Sequence, residues 1–211
     1  AKGNQLSLTS KLQNTVGNVV KNSTFESAVD WRTNKNTLVA SSSSEFAYHG
    51  TKSLKLKNSA NAEVYALGPT FTIQPNETYT FSAYIKTVDT YVNIGITDYS
   101  NYQTSFGPGI SANSDWTRLE LSYTNTTSTV KTMMPSFCVY NVGAVYVDSI
   151  QVEKAPTASR YNLIENGDFR HSGTPAYGWT GTNLGTSDGS VSATSAAPQL
   201  DATVLKIVGS P

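Results

Sequence analysis

The sequence has little charge, few histidines and a single cysteine. Its 211 residues include 15 Lys and Arg against 15 Asp and Glu, so the net charge is zero. Nucleic acids and anionic membranes are bound by clusters of basic residues. A neutral chain in which only 14% of residues are charged favours neither partner. Cys138 has no second cysteine to pair with, which excludes an internal disulfide.

Long apolar runs are also missing. No run approaches the roughly 18 residues of a membrane-spanning helix, and the opening AKGNQLSLTSKLQ lacks the apolar core of a signal peptide. We therefore expect no membrane insertion and an export signal that is either absent or already removed. Tyrosine is abundant, at 12 residues, and windows rich in Ala and Leu are absent. This composition favours an all-β extracellular or cell-surface protein.

Apolar and polar residues alternate with a period of two along much of the chain. In Thr78–Thr87, one face carries Tyr79, Phe81, Ala83 and Ile85, which is typical of a half-buried antiparallel strand. Turn chemistry is present in Gln74–Thr78 (QPNET) and Phe106–Gly109 (FGPG). Eight or nine such strands predict an antiparallel β-sandwich of the jelly-roll kind. The other predicted strands are Tyr91–Thr97, Thr117–Tyr123, Ser53–Lys57, Val19–Phe25, Val64–Ile73, Met133–Tyr140 and Ala144–Glu153.

Part of the sequence occurs twice. Asn22–Trp31 is similar to Asn166–Trp179, and Thr51–Ser59 is similar to Ala202–Ser210. The offset of about 144 to 150 residues is the size of a domain. We therefore predict an N-terminal extension (residues 1–17), a β-sandwich (18–155), a linker (156–165) and the truncated start of a second sandwich (166–211). The alternative is one composite fold.

A truncated second repeat has a structural consequence. The first strands of a sandwich cannot bury their apolar face alone. We therefore expect this part to be loose, to borrow partners from the first unit, or to pair with another chain and so cause self-association. The parent protein is expected to continue beyond it.

The sequence offers few arrangements of residues that could support catalysis. His49 and His171 lie in different predicted units, which argues against a Ser-His-Asp triad. One cysteine and one histidine in the complete unit cannot form a zinc site of the common kind. Glu63 and Glu120 could flank a sugar as the carboxylate pair of a glycosidase does, although solvated strand carboxylates explain both residues more simply. We predict that the protein is not an enzyme.

The order of several motifs identifies a resemblance. NSTFE, HGTKSLKL, YTFSAYIKT, DWTRLELSYT and VYVDSIQVEK occur in an order that resembles the carbohydrate-binding modules of families four, nine and twenty-two, which are galactose-binding-like jelly rolls. The resemblance covers roughly residues 18–155. The stretch ASRYNLIENGDF further resembles tandem modules of large surface or secreted proteins of Gram-positive bacteria. The resemblance implies binding of a polysaccharide or cell-surface glycan and does not identify the sugar.

The same resemblance implies a structural calcium ion. In those families the ligands are often a Glu after the first-strand Phe, carbonyl groups of the loop before the second main strand, and an Asp in the last strand. The matching positions are Glu26, the His49–Lys52 loop with Gly50 and Lys52, and Asp148. In the second repeat Arg170 replaces the Glu, which puts an equivalent site there in doubt.

The alternation around Asp148 supports an unusual position independently of the resemblance. Val145 and Val147 are out of phase with Ile150 and Val152. A β-bulge at Asp148–Ser149 would restore the alternation and redirect the Asp148 side chain. The alternative to calcium is that Asp148 only accepts hydrogen bonds from a neighbouring loop.

Sugar binding requires flat aromatic faces beside hydrogen-bonding groups, because sugar rings have apolar CH faces and polar rims. If the predicted strands form one concave sheet, ten side chains are candidates for one cleft and its rim. The alternative is cross-strand packing of tyrosines on a solvated sheet. The candidates are Tyr65, Tyr84, Lys86, Tyr91, Asn93, Arg118, Glu120 and Tyr140, with Tyr99 and Tyr102 on a rim loop.

The sequence therefore favours a non-catalytic glycan-binding module, outside the cell, with an aromatic-lined cleft. The alternative is a structural or adhesion spacer without a ligand, in a large bacterial surface protein.

Overall fold

The computed structural model describes residues 18–27, 29–159, 189–194 and 204–209. The chain divides into two units, Asn18–Tyr161 and a second made of Ala1–Gly17 with Asn162–Pro211. Every regular element among the described residues is a β-strand, and none of their segments is a helix long and apolar enough to cross a membrane. The prediction of a truncated second repeat falls largely outside the described residues and stays a prediction.

Thirteen strands occur in the described ranges. Those of the first unit are β1 (Arg32–Thr33), β2 (Leu38–Ser43), β3 (Ser53–Asn58), β4 (Val64–Leu67), β5 (Phe71–Ile73), β6 (Thr78–Val88), β7 (Val92–Asp98), β8 (Thr104–Ile110), β9 (Thr117–Thr124), β10 (Lys131–Val139) and β11 (Gly143–Glu153). In the second unit, β12 (Gly189–Thr194) and β13 (Val204–Gly209) pair antiparallel.

Two antiparallel sheets form the first unit. The six-stranded sheet has the order β1-β4-β10-β7-β8, with β5 also paired to β10, and the five-stranded sheet has the order β2-β3-β11-β6-β9. Consecutive strands β6 and β7 therefore lie in different sheets. The prediction of an all-β antiparallel sandwich is confirmed.

The predicted alternation places the core between the sheets. Phe81 and Ile85 of β6 and Ile94 and Phe137 of the other sheet are fully buried and belong to one hydrophobic cluster. Each such side chain contributes roughly 1.5–3 kcal/mol through burial. Residues between them in sequence point outward, because successive side chains of a strand lie on opposite faces.

Two local predictions are wrong. Val19–Phe25 is not a strand, because Asn22 and Phe25 have positive φ angles of 51° and 60°, which interrupt extended backbone. The FGPG sequence is not a turn but part of β8. Since β8 is at the edge of its sheet, Pro108 can occupy it without removing a hydrogen bond that a central strand would need.

The predicted β-bulge is confirmed. The register of β11 against β6 shifts between Asp148 and Gln151, and Ser149 has a φ of 52°. Val147 and Ile150 consequently both reach the core. The Asp148 side chain, which lies on the opposite side of the strand, is fully buried.

Candidate functional site

The structure distributes the predicted sugar-binding residues over two opposite faces of the sandwich. The expectation that they converge on one cleft is wrong, since β6 and β9 belong to one sheet and β4, β7 and β10 to the other. Tyr65, Asn93, Tyr91 and Tyr140 lie on or directly beside strands of the six-stranded sheet, whereas Tyr84, Lys86, Arg118 and Glu120 lie on the outer face of the five-stranded sheet.

A row of residues crosses the outer face of the six-stranded sheet. Cys138 is paired with Tyr65 on one side and with Asn93 on the other, and Asn93 is paired with Gly109. The neighbours of these residues in sequence, such as Ile94 and Phe137, are in the core. The row therefore faces away from the core.

Aromatic rings lie beside this row. The Tyr91 and Tyr140 ring centroids are 5.0 Å apart with a tilt of 45°. Tyr65 and Phe106 are 6.2 Å apart with a tilt of 41°, and Phe106 is 50% exposed. We refer to Tyr65, Tyr91, Asn93, Phe106 and Tyr140 as the tyrosine face.

Gly109 makes room for two members of the tyrosine face. A Cβ atom at this position would lie 2.6 Å from both Asn93 Nδ2 and the Tyr91 hydroxyl oxygen. Asn93 Nδ2 donates a hydrogen bond to the Gly107 carbonyl oxygen at 3.1 Å, which orients the amide. A larger residue at 109 would displace one or both side chains.

Glu63 also belongs to this region, although the sequence pattern did not place it among the sugar-binding candidates. It accepts a hydrogen bond from the Tyr65 hydroxyl. Its spacing of two residues from Tyr65 was the available signal, because residues two apart share a strand face. Glu63 directly precedes β4, and Glu120 lies on β9 of the other sheet. They are therefore not placed as a carboxylate pair across one substrate.

Two phenol groups of the tyrosine face, Tyr65 and Tyr140, have a raised pKa. Burial raises the pKa of Tyr65, and the hydrogen bond to Glu63 raises it further. Burial also raises the pKa of Tyr140 and that of the Cys138 thiol. At neutral pH the Tyr65 and Tyr140 phenols therefore present uncharged hydrogen-bonding atoms, whereas Cys138 is buried beneath the surface.

The rim residues lie at the far end of β7. Tyr99 and Tyr102 occupy the turn between β7 and β8, with ring centroids 6.4 Å apart. Tyr91 directly precedes the same strand, Val92–Asp98, so roughly 26 Å of extended chain separates it from Tyr99. Asp98 holds the turn by accepting hydrogen bonds from the Ser100 N–H and hydroxyl at 2.9 and 2.6 Å.

The predicted calcium ligands surround the loop before β3. Glu26 accepts hydrogen bonds from the Thr51 and Lys52 N–H groups at 2.8 and 2.9 Å and from the Thr51 hydroxyl at 2.7 Å. Burial alone would raise the pKa of Glu26, but these hydrogen bonds outweigh it and lower that pKa. Gly50 has a φ of +70° and no room for a Cβ beside the Glu26 carboxylate.

Asp148 is hydrogen-bonded to the same loop. It accepts hydrogen bonds from the Tyr48 and His49 N–H groups at 2.8 and 2.9 Å and from its neighbour Ser149 N–H at 2.6 Å. Burial raises the pKa of Asp148 despite these bonds. Among the described residues, no group of three or more His, Cys, Asp or Glu side chains is arranged to hold a metal ion.

The four predicted residues of the five-stranded sheet have structural partners. Arg118 donates to Gln151 Oε1 at 2.8 Å and to the Ser159 carbonyl oxygen at 2.6 Å, and it pairs with Glu120 at 3.6 Å. Lys86 pairs with Asp115 at 3.0 Å. The Tyr84 ring is covered by that of Tyr48 at a centroid distance of 3.8 Å.

Comparison with known proteins identifies a family and a curated relative of this chain. A family profile described as a carbohydrate binding domain, CBM_4_9, matches residues 17–141, more than half of the chain. A curated relative is the tRNA(Glu)-specific nuclease WapA of Bacillus subtilis subsp. natto, with 26% identity over 132 residues, 57% of this chain. The match spans 6% of that protein's length.

Solved structures share the fold at low identity. The CBM22-1 xylan-binding domain of Paenibacillus barcinonensis Xyn10C is 16% identical, with a TM-score of 0.50, covering 64% of this chain and 93% of its own. The C-terminal family 22 carbohydrate binding module of Clostridium thermocellum Xyn10B is 20% identical, with a TM-score of 0.51, covering 68% of this chain and 97% of its own.

Proposed function

The chain belongs to the carbohydrate binding domain family CBM_4_9, and from this premise we propose that it is a non-catalytic module that binds polysaccharide through the tyrosine face. The observation that carries the proposal is the row of Tyr65, Cys138 and Asn93, flanked by exposed aromatic rings on one outer sheet face. The rings would stack on sugar CH faces. Asn93 and Glu63 would contact sugar hydroxyl groups.

The charge of this region favours a neutral polymer. Glu63 is the acidic group beside Tyr65, and it would repel a uronic acid placed directly on that ring. Uncharged phenols at Tyr65 and Tyr140 contribute no counter-ion. A xylan or another neutral plant or bacterial polysaccharide is the ligand class that we propose.

Affinity electrophoresis of the full 211-residue chain tests the proposal. Gels cast with soluble neutral and acidic polysaccharides should retard the wild-type chain in at least one neutral polymer. Tyr65→Ala and Tyr140→Ala should each weaken binding about tenfold or more, since truncating an aromatic anchor removes at least about 1.4 kcal/mol. Tyr65→Phe, which keeps the ring, is the matched control that separates stacking from hydrogen bonding.

Retardation that is unchanged in both alanine variants would exclude the tyrosine face as the binding surface. If no polymer of a broad panel retards the wild-type chain, the ligand-free spacer becomes the better interpretation. We further propose an extracellular or cell-surface location, because structural polysaccharides occur outside the cell. Immunodetection on intact cells of the source organism checks the location.

A structural calcium ion at the loop before β3 is a separate proposal. Glu26 and Asp148 supply negative charge to one loop, and calcium combines such carboxylates with backbone carbonyl oxygens. Each carboxylate already accepts at least three N–H or O–H hydrogen bonds. Loop carbonyl groups would therefore have to supply most of the six to eight ligand oxygens.

Thermal denaturation with and without EDTA tests the calcium proposal. A Tm that falls by several degrees after chelation and returns with added CaCl2 supports it. An unchanged Tm shows that hydrogen bonds to the two carboxylates hold the loop without an ion.

A further inference from the structure

A second aromatic surface lies on the opposite side of the sandwich, over the five-stranded sheet. Tyr48 stacks on Tyr84 at 3.8 Å and 16°, and the Trp116 ring lies 5.7 Å from Tyr48 at 56°. Phe46 meets Tyr146 edge to face at 4.8 Å. We refer to these five residues as the aromatic platform.

We propose that the aromatic platform is a second glycan-binding site that acts independently of the tyrosine face. The ligand class of this inference rests on the proposed function. The two surfaces have no residue in common. Because the sheets of a sandwich are about 10 Å apart and the surfaces face away from each other, one sugar unit cannot contact both. A module with both sites can bind two polysaccharide chains at once.

The platform is held in place by the backbone of the loop between β2 and β3. Asp148 accepts hydrogen bonds from the Tyr48 and His49 N–H groups, and the Ser53 hydroxyl donates to the Phe46 carbonyl oxygen at 2.6 Å. The Phe46 and Tyr48 side chains nevertheless remain 40% and 39% exposed. A fixed loop that presents exposed rings can bind without a large ordering cost.

Tyr48 stays 39% exposed although the His49 ring also meets it edge to face, at 4.5 Å. The stacked contact covers the Tyr84 side of Tyr48, and Trp116 stands tilted beside it. Tyr48 and Trp116 therefore form two walls that are not coplanar. Sugar rings, with an apolar CH face and polar edges, fit such a corner when hydrogen-bonding groups surround it.

Charged groups surround the platform as balanced pairs. Lys86 pairs with Asp115 at 3.0 Å, and its ammonium nitrogen lies 5.1 Å from the centre of the Phe46 ring. Lys55 pairs with Glu45, and Arg118 pairs with Glu120. Because each of these three cations already has an acidic partner, a strongly charged ligand gains little from them. The balance favours a neutral polysaccharide, whose hydroxyl groups can hydrogen-bond to the paired side chains.

Affinity electrophoresis of the full chain can separate the two sites. The variant set is Tyr48→Leu and Trp116→Leu for the platform, Tyr65→Ala with Tyr140→Ala for the tyrosine face, and the combination. Leucine at 48 keeps an apolar contact with Tyr84 and so limits any loss of stability. Urea denaturation and near-UV circular dichroism of each variant establish that it is folded.

The proposal predicts that the tyrosine-face variant keeps part of its retardation in at least one neutral polymer. Adding the platform substitutions should then weaken the remaining binding about tenfold or more. The conservative Tyr48→Phe variant, which keeps the ring, should bind as its parent does.

The alternative outcomes distinguish this inference from the proposed function. If the tyrosine-face variant loses all retardation and the platform variants bind as wild type, the platform is not a glycan site and the proposed function stands. If only the platform variants lose binding, this inference holds and the tyrosine-face proposal fails. Absence of retardation for the wild-type chain in every polymer overturns both.

Discussion

Removing the Asp148 carboxylate should strongly destabilise the first unit. Asp148 is fully buried and accepts three backbone hydrogen bonds, from Tyr48, His49 and Ser149. In Asp148→Ala all three N–H donors lose their acceptor. The loop that carries Tyr48 also loses two of its hydrogen bonds to β11.

The size of the effect follows from these three contacts. The Ser149 N–H is bonded within buried structure, and leaving a buried donor unsatisfied costs about 1–3 kcal/mol. The Tyr48 and His49 N–H groups belong to a loop that can open to water. The loss of each of their hydrogen bonds should cost about 1 kcal/mol. The free energy of unfolding should therefore fall by about 3 to 5 kcal/mol. Asp148→Asn keeps one acceptor oxygen and should lose about half as much.

Urea denaturation followed by intrinsic fluorescence measures this change. With an m-value of about 2 kcal/mol/M, the Asp148→Ala midpoint should fall by roughly 1.5 to 2.5 M. The matched control is Asp115→Asn, in the loop before β9, whose exposed carboxylate pairs with Lys86 and whose loss should leave the midpoint close to that of wild type. An Asp148→Ala midpoint within error of wild type would refute the assignment of Asp148 as the anchor of the loop. Repeating the series in EDTA shows whether the anchor depends on an ion.

Two further predictions concern the six-stranded sheet. The hydrogen bond from Lys131 holds the pKa of Asp98 at about 2, below its ordinary value of 3.8. Stability from this carboxylate is therefore complete above pH about 4 and is lost as the pH falls towards 2. Because Lys131 is partly exposed, solvent screens its interaction with Asp98. The carboxylate then contributes about 1 kcal/mol to the free energy of unfolding. The urea stability of wild type should exceed that of Asp98→Asn at pH 6 but not at pH 2, and an equal difference at both pH values contradicts the assignment. Gly109→Ala should weaken polysaccharide binding several-fold in affinity gels, because its Cβ would displace Asn93 and Tyr91. Wild-type binding by this variant would show that the position of these side chains is unimportant.

The alternation of apolar and polar residues was sufficient to predict which side chains face the core. Ile94 and Leu119 are buried as expected, and Asn93 and Arg118 point away from the core. The phase change around Asp148 was also visible in the sequence, and the register shift confirms it. These features are local, because a strand's two faces follow from a period of two.

The assignment of strands to sheets could not be predicted in the same way. Tyr84 and Tyr91 are close in sequence and both point outward, yet they lie on opposite sides of the sandwich. The pairing of Cys138 with Tyr65 and Asn93 joins segments that are distant in the chain. The alternation of apolar and polar residues does not show which strands pair with each other. For this reason the sequence predicted a single cleft, whereas the structure has two surfaces.

The sequence by itself determined the all-β class, the inward and outward positions of the main strands and the bulge, because each follows from local periodicity. It also carried the motif order by which the family was identified. Only the tertiary structure decided that Glu63 contacts Tyr65, that Gly109 leaves space for Asn93, and that Asp148 holds the loop presenting Tyr48. These contacts depend on strand pairing and loop path, which are set by the packing of the whole sandwich.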